Sequence, residues 1–219
     1  MTSVADSLRL YLVTDRDLAR GRSLVEVVAA AVRGGVTAVQ VREKAAGALR
    51  FLEEVAAVRQ ALAGSGVPLI VNDRVDVAMA ASASGVHVGQ HDLPARDTRR
   101  LVGSDLLVGV SVASGAEAHR AIADGADYVS VSPVFLTPTK PDADLAVGLE
   151  GVARVRDAVP GSPVLAIGGI GAGNARAVVE AGADGVAVVS AIMAADDPEA
   201  AAAAIRREVD AALADRRRP

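Results

Sequence analysis

Two kinds of apolar spacing alternate along the chain from one end to the other. Short uninterrupted runs at residues 10–13, 38–41, 68–71, 85–88, 107–110, 128–131, 164–167 and 185–189 have the length and Val/Ile/Leu content of strands buried on both faces. Between them, helical spacing predicts helices over residues 23–33, 48–63, 75–81, 93–102, 116–123, 149–158, 174–180 and 198–213. Ser23 caps the first, with Gly34 and Gly35 as its stop. Asp197 and Pro198 open the last. Strand then helix, repeated eight times, predicts a single-domain (β/α)8 TIM barrel over residues 1–219, with 1–9 and 214–219 as flexible tails. An open doubly wound sheet is the alternative.

A weak internal repeat favours closure. Gly35-Val-Thr-Ala-Val-Gln-Val41, Ser82-Ala-Ser-Gly-Val-His-Val88, Gly125-Ala-Asp-Tyr-Val-Ser-Val131 and Gly182-Ala-Asp-Gly-Val-Ala-Val188 share one plan, at every second strand. The chemistry of a barrel lies at the carboxyl ends of its strands. Here those positions are polar and glycine-rich, with no apolar ligand pocket of any size.

Composition narrows the partners. The 219 residues carry a net charge of −4, which argues against a nucleic-acid surface. No apolar run is long enough for a membrane helix, and no secretory signal is visible, so a cytoplasmic protein is expected. Without cysteine there is no disulfide and no thiol nucleophile. Nothing in the composition decides whether the chain forms a homo-oligomer. Of 23 basic residues only Lys44 and Lys140 are lysines, and both follow predicted strands. Lysine is a compact charge suited to phosphate oxygens.

Each rim cluster has a chemistry. The loop Ala166-Ile-Gly-Gly-Ile170 offers bare amides, and Val189-Ser190 adds a hydroxyl. Loops after strands seven and eight of this fold hold monophosphates. In Gln40-Val-Arg-Glu-Lys44, alternation points Gln40, Arg42 and Lys44 one way and Val41 and Glu43 the other. Two cations and an amide aimed together suit a diphosphate. Thr137, Thr139 and Lys140 sit in a loop stiffened by Pro138 and Pro141, with the character of a functional flap. Asp73 and Asp92, from successive strand ends, suit Mg²⁺, which takes one or two carboxylates plus water and phosphate. Helix capping is their plainer reading. His87 and His119 read as structural, and His91 receives no role.

These motifs, together with Leu12-Val-Thr-Asp15, Ile70-Val-Asn-Asp-Arg74, Gly85-Val-His-Val-Gly-Gln-His-Asp92, Gly109-Val-Ser111, Pro133-Val-Phe-Leu-Thr-Pro-Thr-Lys140 and Gly185-Val-Ala-Val-Val-Ser190, run in an order that resembles the thiamine phosphate synthase family. The resemblance implies a transferase joining hydroxymethylpyrimidine diphosphate to a thiazole monophosphate, with thiamine phosphate and pyrophosphate as products. It implies that Gln40, Val41, Arg42, Glu43, Lys44, Asn72, Ser111 and Lys140 meet the pyrimidine diphosphate, with Arg42, Lys44, Ser111 and Lys140 as the catalytic set. It assigns Mg²⁺ to Asp73 and Asp92. The thiazole phosphate falls to Thr137, Pro138, Thr139, Gly169, Val189 and Ser190. Ser130, Ser132 and Leu136 depart from the family pattern. A thiazole tautomerase on the same barrel, a phosphosugar isomerase and a non-catalytic thiazole-phosphate sensor are the competing readings.

Overall fold

The computed structural model describes residues 4–137 and 145–216. Eight parallel strands close into one barrel in sequence order: β1 (Leu10–Val13), β2 (Ala38–Val41), β3 (Leu69–Asn72), β4 (Gly85–Val88), β5 (Leu107–Val112), β6 (Tyr128–Val131), β7 (Val164–Ile167) and β8 (Gly185–Val188). β8 pairs back onto β1, which excludes the open sheet. The helices are α1 (Val4–Ser7), α2 (Leu24–Arg33), α3 (Ala48–Ala61), α4 (Val75–Ala80), α5 (Ala95–Val102), α6 (Gly115–Ala123), α7 (Gly148–Ala158), α8 (Ala175–Glu180), α9 (Ser190–Met193) and α10 (Pro198–Arg216). Ser23 completes a capping box with Glu26 at the start of α2.

Strand parity divides the core in two. Leu10, Leu12, Val39, Val41, Val86 and Val88 face outward and pack against the helices. Tyr11, Val13, Ala38, Ile70, Tyr128, Leu165 and Ala187 point into the barrel. Both faces are buried, so the strands read as unbroken apolar runs. Inward glycines give the large side chains room. A Cβ on Gly109 would stand 2.1 Å from Cζ of Tyr128 and 2.6 Å from Nδ1 of His87.

The repeat has a structural cause at the amino-terminal end of the barrel. Thr37, Ser84, Asp127 and Asp184, each just before an even-numbered strand, donate a backbone N–H to the carbonyls of Leu10, Leu69, Val108 and Val164. Their side-chain oxygens accept the N–H of those same four residues in return. Two residues earlier the chain passes through positive φ at Gly35, Ser82, Gly125 and Gly182. Glycine adopts that conformation without strain, and Ser82 is the exception. Arg206, Arg99 and Arg156 secure the three glycine turns by donating to the carbonyls of Gly35, Gly125 and Gly182.

Parts of the two segments expected to be flexible tails are described, and they hold defined positions. Val4–Ser7 is helical and Leu8 is buried inside the lower barrel, where the absent side chain of Gly185 leaves room for its backbone. At the other end α10 continues to Arg216, whose guanidinium donates to the carbonyls of Val179 and Ala183. Residues 1–3 and 217–219 lie outside the described residues.

Candidate functional site

A cavity of about 710 Å³ opens at the carboxyl ends of the strands. Parity selects its lining. Gln40 ends the inward row of β2, and the extended chain beyond it carries Arg42 and Lys44 to the same cavity. β3 runs one residue further than expected, so Asn72 is its last inward residue and Asp73 the first beyond it. β5 runs to Val112, which places Ser111 inside the strand rather than after it.

One corner concentrates charge. Lys44 Nζ lies 2.7 Å from Oδ2 of Asp73. Asp92 sits beside Asp73 with Oδ2 accepting the N–H of Gly89 at 2.8 Å. Burial pushes the Asp92 carboxyl above its ordinary range, and the hydrogen-bonded Asp73 pushes it further. The Gly89 amide and Lys44 act against that rise. Two carboxylates this close disfavour shared ionisation unless a cation stands between them. Asp73 also holds φ at 60°, an unusual state for a residue with a side chain, and its N–H donates to the carbonyl of His87.

The opposite wall is backbone. Gly168 and Gly169 both have positive φ, and a Cβ on either would strike the segment after β6, at Pro133 or at Phe135 and Leu136. These glycines therefore do more than bare their amides: they let that segment lie across the loop after β7. Val134 and Phe135 donate to the carbonyls of Ile167 and Gly168 there. Asn174 fastens the turn, accepting from Gly171 N–H and donating to the Gly169 carbonyl. Val189 and Ser190 line the cavity beside it, at the start of α9, and Thr137 reaches it from the β6 side.

The cavity floor departs from expectation. Val13, Leu165, Ile167 and Ala187 make it partly apolar, contrary to the reading of a wholly polar rim. Beneath lies a polar chain. Gln40 Nε2 donates to the Tyr11 hydroxyl at 2.9 Å, and the Tyr11 and Tyr128 hydroxyls are 3.1 Å apart. Tyr128 meets Nδ1 of His87 at 3.1 Å, and His87 Nε2 meets the Ser111 hydroxyl at 3.0 Å. Burial raises both phenols well above their usual titration range, so they stay protonated. His87, read as structural, lines the cavity. Strand spacing alone does not mark it: only in the structure do the two tyrosines of the chain share the inward parity with His87 and Ser111.

Of the residues singled out in the sequence, Gln40, Arg42, Lys44, Asn72, Asp73, Asp92, Ser111, Thr137, Gly169, Val189 and Ser190 all line this one cavity. The side chains of Val41 and Glu43, grouped with them by resemblance, point away. Val41 is fully buried in the outer layer, and Glu43 pairs with Arg16 while accepting the N–H of Ala45. Strand parity enforces this, as the alternation through Lys44 already indicated. Pro138, Thr139 and Lys140 lie outside the described residues.

Comparison with known proteins adds a family to this geometry. A family model described as thiamine monophosphate synthase matches residues 10–192. A thiamine-phosphate synthase of Chloroflexus aurantiacus is 54% identical over 198 residues, covering 90% of this chain and 91% of that protein. One of Albidiferax ferrireducens is 51% identical, covering 94% and 93%. A solved structure of thiamine phosphate pyrophosphorylase from Pyrococcus furiosus superimposes with a TM-score of 0.87 at 38% identity, covering 96% of this chain and all (100%) of that one. A 3-hexulose-6-phosphate synthase structure, at 21% identity and a TM-score of 0.67, shares the fold.

Proposed function

We infer the chemistry from the family: this chain belongs to the thiamine monophosphate synthase family, and it is a transferase of the thiamine-phosphate synthase type. Its reaction, in our reading, joins hydroxymethylpyrimidine diphosphate to a thiazole monophosphate and releases pyrophosphate. The observation that carries the reading is the convergence of Arg42, Lys44, Asp73 and Asp92 on one side of a cavity whose other wall is a glycine loop. This division supports a reading in which diphosphate and monophosphate bind at opposite walls, with the rings over the half-apolar floor.

The two carboxylates fit Mg²⁺. Their oxygens are hard donors, and burial followed by the neighbouring Asp73 raises the proton affinity of Asp92. When bound there, Mg²⁺ supplies Lewis-acid neutralisation of phosphate oxygens. Lys44 is free to change partner. Its side chain is 58% exposed, and an exposed pair is worth only about 0–1 kcal/mol. It can therefore leave Asp73 for an incoming diphosphate at small cost. Together with Arg42 it meets the charge that builds on departing pyrophosphate, which is where electrostatic stabilisation lowers the barrier. The pyrimidine amino group can spread the positive charge left on the methylene carbon, and the thiazole nitrogen then adds to that carbon. Gln40, Asn72 and Ser111 orient the ring. No protein nucleophile is required.

The test is pyrophosphate release from the two substrates together, with Mg²⁺ and with a chelator. Release should need all three components. No pyrophosphate from the complete mixture would overturn the assigned substrates, and undiminished turnover in chelator would remove the metal from the mechanism.

A further inference from the structure

The buried polar chain under the cavity has a direction, and that direction reaches the ligand. The Gln40 amide nitrogen can only donate, so the Tyr11 oxygen accepts from it. The Tyr11 proton must then go to Tyr128, the other hydrogen-bond partner of its hydroxyl among the described residues. Tyr128 in turn gives its proton to Nδ1 of His87. A neutral imidazole that accepts at Nδ1 carries its hydrogen on Nε2, where Ser111 Oγ stands 3.0 Å away and receives it. One proton in the row is left unspent, that of Ser111, and Ser111 lines the cavity. An imidazolium would donate at both nitrogens and leave the Tyr11 proton, fully buried, without an acceptor in the row.

We propose that His87 is a positioning residue: Gln40, Tyr11 and Tyr128 fix the hydrogen on its Nε2, and this makes the Ser111 hydroxyl an obligate donor to an acceptor nitrogen of the bound ring. The proposal rests on the reading above that a pyrimidine occupies the cavity. Its geometry is enforced by Gly109, the position where any side chain would collide with both Tyr128 and His87. Tilted ring contacts of Tyr128 with Tyr11 at 6.3 Å and with His87 at 5.6 Å hold the row in place. The specificity follows from polarity. A ligand atom that accepts is bound at Ser111, and one that can only donate leaves the serine proton buried without a partner, which is the costlier error.

Two measurements test it. Histidine-selective nitrogen NMR of the ligand-free protein reads which ring nitrogen is protonated. With three histidines in the chain, a His87→Asn variant assigns the signal. Hydrogen on Nε2 is expected. Hydrogen on Nδ1, or on both nitrogens, overturns the direction, because every link would reverse with it. The second is a double-mutant cycle on KM for the pyrimidine diphosphate. Tyr128→Phe should raise that KM by about three- to tenfold, the value of one hydrogen bond, with KM for the thiazole phosphate unmoved. In a Ser111→Ala background the same change should do nothing further. Additive effects would mean that Tyr128 acts by packing alone, and would overturn the positioning role. The NMR result needs no substrate, so it stands apart from failure of the pyrophosphate assay.

Discussion

Asp92 registers the charge and burial of its surroundings. Its carboxyl is held above the ordinary aspartate range by burial and by Asp73. In the metal-free protein the folded state therefore keeps a proton that the unfolded chain has already released. Stability from this group is fully present below the unfolded pKa, about 3.9, and is lost as pH rises through the folded value. Urea midpoints in chelator should fall across that mildly acidic window, and Asp92→Asn should flatten the slope. If the proposed Mg²⁺ site is correct, added Mg²⁺ should invert the slope, because a cation held by the pair favours its deprotonated form. An unchanged slope in the variant would place the effect elsewhere. The sequence marked such a residue for the rim by its place just after an apolar run, and the structure puts Asp92 in the cavity lining. His87 was not legible. Inside a strand buried on both faces, inward and outward parity look alike, and its ring could have faced either layer.

At the level of elements, boundaries were clear wherever a cap or a glycine turn marks them, as at Ser23 and Gly34. They failed where the chain gives no such mark. α1 is four residues long and too short to show helical periodicity, and the end of α10 is an Ala- and Asp-rich run with little amphipathic contrast. The repeat before the even strands was visible as a pattern, but its cause lay in hydrogen bonds between strands distant in sequence. Asp184 accepts the Val164 N–H at 2.9 Å and pairs with Arg156, whose side chain is only 21% exposed. Asp184→Ala should thus cost about 2–4 kcal/mol, since it strands a backbone donor and removes the carboxylate that faces a largely buried guanidinium. Chemical denaturation would show the loss, with kcat little affected because the residue lies at the far end of β8 from the cavity. A variant as stable as the parent would deny these contacts their structural weight.

Across the whole molecule the two ends of the barrel differ, with reciprocal hydrogen bonds and Leu8 below and the polar residues of the cavity above. Among the described residues no helix is long and apolar enough to cross a membrane. Binding at the upper rim should stabilise the entire fold through linkage. Mg²⁺ with pyrophosphate at about 100 times its Kd is worth roughly 2.7 kcal/mol, which for a chain of this size is roughly 5–11 °C in Tm. Differential scanning calorimetry with each component alone and with both should show the larger shift only for the pair. Equal shifts with pyrophosphate alone would argue against a shared site.

The lower hydrogen bonds have one more consequence. Each reciprocal set ties an even strand to the odd strand before it, while single backbone bonds such as Leu107 N–H to the Ser84 carbonyl join one pair to the next. Thus β1 with β2, β3 with β4, β5 with β6 and β7 with β8 are self-registering staves, like those of a cask. A stave carries its own alignment when it is moved. Exchanging β5–β6 for the matching piece of a relative should keep the cask closed and alter only the part of the mouth which that stave supplies.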